Sequence, residues 1–452
     1  MDPIDNTVTV VSDRPRPGDV PERGAAPPPP PGPRRPGRTL ASLGAGVAIE
    51  WYDWSVYTTF AVFFAGQFFA GSGSSAVLKT LAVFAAGFVA RPIGGFVLGW
   101  LADRRGRKFA MMWSISLAAA GSVGIGVIPT ASSIGVLAPI LLVSARLLQG
   151  LGTGGEVPTA QTYLAEAAPP HRRGLWSSAM YISISLAVLF GTILGAVLSA
   201  VLTSEQMSSF GWRIPFLIGG ALGLIILVLR SSLPETEVFE KTRAHGGHSI
   251  WKEICRHPAL QLRVVCFCVG GTVVYYVWAV AAPAFAISER GIHPTSALWA
   301  GSIATVLFMI ALPFWGALSD RIGRRPVLLM CFGALVILMF PLNWMIRDDA
   351  WQLFAAMSTA LIFVAGLASI TPAVLAEMFP TKIRAAGTGV PYSIAAALFG
   401  GTAPYLLSLF DQLHLPAAFP LYAIGLMAVS AAAVYLMPET SGISLDDEDN
   451  ES

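Results

Sequence analysis

The sequence is short of charge. Of its 452 residues only 12% are charged, 54% are hydrophobic and the mean hydropathy is +0.63. A soluble domain carries roughly a quarter charged residues, so this chain cannot cover a water-facing surface. Cysteine and histidine are scarce too. Cys255, Cys266, Cys268 and Cys331 make no zinc-ligand spacing, and the six histidines make no paired motif, so no metal site is expected. Cys266 and Cys268 stand two apart, on different faces of a helix, and read as buried thiols. Nucleophile elbow and phosphate loop are missing as well, so neither an enzyme nor a cofactor is expected.

What the chain has in quantity is apolar runs of about 20 residues, the length that crosses a hydrocarbon core about 30 Å thick. Hydropathy and breakers predict about twelve spans, at 40–70, 78–101, 108–128, 135–166, 174–202, 211–231, 259–287, 295–319, 325–346, 351–378, 386–409 and 416–437. The 45 glycines suit such helices, because helix contact in lipid favours small residues. The expected fold is therefore all-α, a polytopic membrane protein. Residues 1–38, dominated by APPPPPGPRRPGR, read as a disordered tail rather than a secretory signal, and 438–452 as a short acidic tail. Lysine and arginine gather in the amino tail and in the loops after every second span; the opposite side holds only Lys79, Arg213, Arg290 and Arg347. That asymmetry predicts both termini in the cytoplasm. Arg91 and Arg146 are left inside spans.

The chain also repeats itself. GWLADRRGRK (Gly99–Lys108) after span two is matched by GALSDRIGRR (Gly316–Arg325) after span eight. EAAPPHRRG (Glu166–Gly174) is matched by EMFPTKIRAAG (Glu377–Gly387), and LPET (Leu233–Thr236) by MPET (Met437–Thr440). Three paired signatures in one order predict two pseudo-symmetric six-helix halves, 39–231 and 259–437, joined by a cytoplasmic linker at 232–258.

These signatures, with RLLQGLGTGG (Arg146–Gly155) in span four, resemble the major facilitator superfamily. Within it, EWYDW in span one, ARPIGG in span two, GGE (Gly154–Glu156), GWRIPF (Gly211–Phe216) and AEMFP resemble the metabolite:proton symporter family. TLAVFAAGFVARPIGG and SIAAALFGG (Ser393–Gly401) are similar to the α-ketoglutarate permeases of that family. The chain departs from the permease pattern at GAGVAIEWYD and at VPTAQTY (Val157–Tyr163), both on helices expected to border the cavity. The resemblance implies a monomeric symporter in the cell membrane that moves a small organic acid with protons by alternating access. It also links Arg146 to proton coupling.

Charges inside spans point to the same chemistry. A charge near the bilayer centre costs from about 3 kcal/mol upward, so it faces the bundle interior and needs a partner. Arg91 lies midway along span two and offers a planar fork to a carboxylate, either of a substrate or of a membrane acid such as Asp53. Arg146 either serves proton coupling or bonds backbone carbonyls of a neighbouring helix. Glu50, Asp53, Trp54 and Tyr57 stand on one stripe of span one, and with no deep histidine the proton carriers are to be sought among Glu50, Asp53 and Glu156. Solvation of either acid from the cytoplasm is the plainer alternative. Tyr163, Tyr275, Tyr276, Trp278 and Tyr392 lie in spans bordering the expected cavity, where the tyrosine hydroxyls are candidate substrate contacts, although packing explains most such aromatics. Asp103 with Arg104 and Arg107, and Asp320 with Arg321 and Arg324, are expected to cap helix ends and latch the cytoplasmic side. Glu166 with Arg172 and Arg173, and Glu377 with Lys382 and Arg384, suggest further latches. Arg213 reads as an interfacial anchor.

A proton-coupled importer of a small organic acid, with α-ketoglutarate-like dicarboxylates foremost, is thus the leading expectation. A carrier of zwitterions or aromatic acids, an exporter, and a membrane sensor are the alternatives; the short tails and missing signalling domain disfavour the sensor. The expected partners are the substrate anion, protons and the lipid bilayer.

Overall fold

The computed structural model describes residues 36–73, 75–105, 107–153, 161–162, 164–166, 168–231, 258–379, 384–443 and 445. Residues 1–35, 232–257 and 446–452 are among those outside these, so the expected amino tail and linker lie almost wholly beyond the described residues. Residues 40–452 form a compact unit. Among the described residues there is helix and no strand. With no water in the hydrocarbon region, a span must satisfy its peptide groups within itself, and the apolar runs have only the helix for that.

Twelve helices account for the twelve expected spans. They are α1 (Pro36–Phe68), α2 (Ser75–Arg105), α3 (Arg107–Val127), α4 (Leu137–Gly152), α5 (Arg173–Val201) and α6 (Arg213–Ser231). Then follow α7 (Pro258–Arg290), α8 (Pro294–Ile322), α9 (Arg324–Met345), α10 (Ala350–Glu377), α11 (Gly387–Gln412) and α12 (Ala418–Leu436). Ten of the described helical segments are long and apolar enough to cross a membrane. Two of the twelve fall outside that count. α4 is described over 16 residues, too few for that count, and α1 has the length, at 33 residues, but carries two buried acids.

The repeat in the sequence is a repeat in packing. α2 lies against α3 and α4, and α3 against α4 and α6; α8 lies against α9 and α10, and α9 against α10 and α12. The halves meet where α5 runs along α8 and α10, and where α2 meets α11. Glycines permit the closest of these crossings. A Cβ on Gly150 of α4 would stand 2.0 Å from the Gly87 carbonyl of α2, and one on Gly316 of α8 would stand 2.6 Å from the Gly174 carbonyl of α5. α7 and α11 each contain a π-helical turn, at Tyr276–Ala281 and Ala396–Gly400. Such turns shift the register of a helix and gather at functional sites. In this chain they lie beside Tyr276 and a few residues after Tyr392.

Candidate functional site: a buried arginine facing a tyrosine-lined cavity

Arg91 sits on α2 just before Pro92, which has no amide to give the Phe88 carbonyl and so loosens the helix there. Its guanidinium is buried and forms an ion pair with Glu50 of α1. The acid paired with Arg91 is thus Glu50 and not Asp53, because the crossing of α1 over α2 turns Glu50, one helical turn earlier, toward the fork. The Trp54 and Phe88 rings lie 5.3 and 5.2 Å from the guanidinium carbon, which adds cation–π contact.

On the far side of this pair, α7 and α11 bring up Tyr276 and Tyr392. Trp51 stacks on Tyr276 at 5.5 Å and meets Tyr275 edge-on at 5.4 Å, and Tyr181 of α5 meets Tyr275 at 5.8 Å. Tyr181, Tyr275, Tyr276 and Tyr392, with Thr272, Thr371 and Cys268, line a cavity. The three described candidate tyrosines thus lie together, and Tyr181 is a fourth member that the sequence reading missed. Its only signal was a run of small and hydroxyl side chains, SSAMYISIS, on α5. Trp278 is buried a half-turn beyond, and its indole nitrogen has no hydrogen-bond partner among the described residues.

Arg146 of α4 occupies a separate place on the other side of Trp54. Its guanidinium lies 4.3 Å from the Trp54 ring and 4.1 Å from that of Tyr57, and it donates to Gln149 at 2.5 Å, which in turn donates to Ser122 at 2.7 Å. Among the described residues it bonds a side chain and no backbone carbonyl. Asp53 stands beside Ser122 and Arg146. A Cβ on Gly219 of α6 would lie 2.5 Å from the Asp53 Oδ1, so this close approach requires glycine.

The basic end of the bundle holds a second charge cluster, and it spans the halves. Asp320 of α8 accepts from the backbone N–H groups of Gly174 and Leu175, both at 2.9 Å, and so caps the start of α5. Arg324 donates to Asp320 at 2.6 Å and to Glu377 at 3.4 Å, while Arg173 donates to Glu377 at 2.8 Å. Thr440 donates to the second Glu377 oxygen at 2.6 Å, and Arg173 also donates to the Ile443 carbonyl. Arg173 of the first half thus pairs with Glu377 of the second, a partner the sequence reading did not name. The Gly174–Gly316 crossing brings α5 and α8 together there, and Glu166, Arg172 and Arg321 are exposed. Arg104 is exposed and stacks on Trp100 at 4.4 Å. Tyr163, Glu156 and the side chains of Asp103, Arg107 and Arg384 lie outside the described residues, as does Lys382.

At the opposite end Arg213 donates to the Gly126 and Ile128 carbonyls, closing the end of α3, and so ties α6 to α3 in addition to any anchoring. Arg290 of α7 grips Asp411 of α11 with two bonds of 2.9 and 2.7 Å, a pair the sequence reading did not foresee. Among the described residues no group of three or more His, Cys, Asp or Glu is placed to hold a metal ion.

Residues 39–247 match the family description "Sugar (and other) transporter", and 267–451 match "Major Facilitator Superfamily". The alpha-ketoglutarate permease of Escherichia coli K12 is 36% identical over 411 residues, 90% of this chain and 94% of that protein. The chain belongs to the major facilitator superfamily. It is a multi-pass membrane transporter, as that membership and the helices together require. The Ectoine/proline transporter ProP of Corynebacterium glutamicum is 31% identical, with 88% of this chain and 82% of that one aligned. A putative proline/betaine transporter of Staphylococcus aureus is 32% identical, with 90% of each chain aligned. Among solved structures the proton:xylose symporter XylE matches with a TM-score of 0.69 at 19% identity, over 90% of this chain and 96% of that one, a likeness of fold.

Proposed function

We propose that this superfamily member is a proton-coupled symporter that imports a small organic acid across the cell membrane, a dicarboxylate such as α-ketoglutarate first of all. The observation that carries the reading is the buried Glu50–Arg91 ion pair beside Tyr276 and Tyr392, two residues that line a tyrosine-rich cavity. In that pair Glu50 holds the place a substrate carboxylate would take. A proton passing from water to Glu50 neutralises it and releases the Arg91 fork, which stays charged because guanidinium does not deprotonate in proteins. A carboxylate entering between the tyrosines then meets Arg91, and the loaded site, like the resting one, carries no net charge from the three groups. A charge-balanced site is the one that crosses a low-dielectric interior at least cost.

Reorientation is a rocking of the two halves about this midplane site. The cluster of Asp320, Arg324, Glu377 and Arg173 ties the halves at the basic end, which the positive-inside pattern assigns to the cytoplasm, and parts when the carrier opens there. Asp53 beside Arg146 is a second titratable acid in the coupling path. Both termini are cytoplasmic and the working unit is the monomer in this reading. Tyr163, Glu156, Asp103, Arg104, Arg107 and Arg384 remain candidates for cavity and gate.

A zwitterion is the second reading, and the aromatic cage favours it. Trp51 and four tyrosines present ring faces suited to an ammonium group beside an arginine suited to its carboxylate. Uptake by the purified chain in sealed proteoliposomes separates the readings. Labelled α-ketoglutarate should accumulate under an inward proton gradient and leak back when a protonophore collapses it, whereas labelled proline or betaine should not. Accumulation that ignores the gradient, or an equal response from Arg91→Gln, would end the symport reading.

A further inference from the structure

Glu50 and Asp53 of α1 border a second cavity, on the face of the helix turned away from the tyrosines. It lies within the N-terminal half, among α1, α3, α4 and α6. Glu50, Asp53, Ser114, Ala118, Thr153 and Gly219 are among its walls, and it shares no lining residue with the tyrosine cavity. Asp53 is 4% exposed, and its Oδ1, which borders Gly219, has no hydrogen-bond partner among the described residues. A buried carboxylate oxygen costs free energy unless something donates to it, and a polar cavity with several acceptors is where water does so. Small residues keep the space open. A Cβ on Gly223 would lie 2.8 Å from that of Ala119, so the α3–α6 contact is already closed, while Ala118 lines the space beside it.

We propose that this cavity is a proton access chamber, a water-holding compartment that serves Asp53 and Glu50 from behind α1 while substrate approaches Arg91 from the tyrosine side. The inference rests on the symport reading above and adds to it a route for the proton that the substrate never shares. Glu50 is the one acid that belongs to both places, lining the chamber and pairing with Arg91. A hydrated proton gives its proton to Asp53 and leaves as water. Asp53 then passes a proton through intervening water to Glu50, one residue gaining what the other loses. The ionisable groups that face the chamber acids are few. Arg146 comes from α4, Arg91 from α2, and Tyr276 of α7 and Tyr392 of α11 face Glu50; Tyr52 and Tyr57, on α1 itself, are committed to the Pro215 and Thr80 carbonyls. α3 and α6 contribute Ser114, Ser122 and glycines.

Two measurements on the full chain in proteoliposomes test this. Ala118→Leu fills the chamber without touching either acid, and Ala118→Ser keeps its volume. The expected result for Ala118→Leu is that counterflow exchange of α-ketoglutarate stays within about twofold of the natural chain while accumulation driven by a pH gradient falls about tenfold; Ala118→Ser retains both. The second measurement does not need Ala118→Leu to fold. Cys268 lines the tyrosine cavity, so with Cys255, Cys266 and Cys331 replaced by serine it reports on the substrate side. A small thiol reagent should modify Cys268 several-fold more slowly when α-ketoglutarate is saturating. The same reagent should modify Ala118→Cys, in a background that also has Cys268→Ser, at a rate α-ketoglutarate leaves unchanged. Equal protection of both positions, no reaction at Ala118→Cys, or normal accumulation by Ala118→Leu overturns the chamber. A natural chain that fails to accumulate any acid under the gradient instead overturns the symport reading, so the two failures are told apart.

Discussion

The two halves share one scaffold and differ in what fills it. Carrying the register of the matched Asp103 and Asp320 signatures up the helix sets Arg91 of α2 against Phe308 of α8. The matched Glu166 and Glu377 set Arg146 of α4 against Met357 of α10. All four side chains are buried, and the helices bearing them pack alike. One half therefore encloses Arg91 and Arg146 with two acids, Glu50 and Asp53, and the other encloses Phe308 and Met357 where the two arginines would stand. At the basic end the balance reverses. Asp320 and Glu377 of the second half are built into a cross-half cluster, whereas their counterpart Glu166 is exposed. Duplication supplies the frame, and the departures from symmetry mark where proton and substrate chemistry is placed.

The largest expected effect comes from removing the charge on one side of that comparison. Arg91→Gln should lower acid uptake about 100-fold, near 3 kcal/mol, the usual loss when one member of a desolvated charge contact is cut away. The matching change Phe308→Leu should stay within about threefold, because a volume change at a packed ring costs only about 1.5 kcal/mol or less. Uptake rates at equal membrane protein level measure both, and similar losses would erase the distinction between the halves. Next in size is Glu50→Gln, a permanently uncharged stand-in for the protonated acid. Counterflow exchange should persist while pH-driven accumulation falls at least about tenfold; a variant that still concentrates substrate would clear Glu50 of any part in coupling.

Stability sharpens the comparison at the basic end. Glu377→Gln leaves Arg173 and Arg324, both buried, short of a carboxylate, and should cost about 3 kcal/mol, seen as a lower unfolding temperature in detergent. Glu166→Gln, at the matching but exposed position, should change stability by about 0.5 kcal/mol or less. Equal shifts would mean the cluster carries no special burden. The smallest effect is expected at the other end, from Arg290→Ala. Its pair with Asp411 is about one-fifth exposed on each side, with relative areas of 23% and 20%, and joins two helices of the same half. Screening by solvent holds such a pair to about 1 kcal/mol, and uptake should stay within about twofold. A complete loss of transport would promote it to a gate.

Much of this was open to inspection before any coordinates. The spans could be counted because a bilayer demands about 20 apolar residues each, and Arg91 stood out because a buried guanidinium has no cheap way to lose its charge. Which acid answers it was hidden. Glu50 and Asp53 lie three residues apart on one stripe, and the angle at which α2 crosses α1 chooses between them. Tyr181 was hidden for a related reason, since a lone tyrosine among serines and alanines has no local mark of facing a cavity built by four other helices. Arg290 and Asp411 are 121 residues apart and meet only because α7 and α11 end side by side.

By itself the sequence determined the helices, their number, the duplication and the presence of charge at depth, since each follows from hydropathy, spacing or repetition along one chain. Tertiary structure decided the pairing of Glu50 with Arg91, the separation of the tyrosine cavity from the acid-lined one, and the passage of Arg173 to Glu377 across the halves. Ion pairs and cavities are properties of helix crossings, and a crossing is fixed by contacts between residues far apart in the chain, such as Gly87 with Gly150 and Gly174 with Gly316.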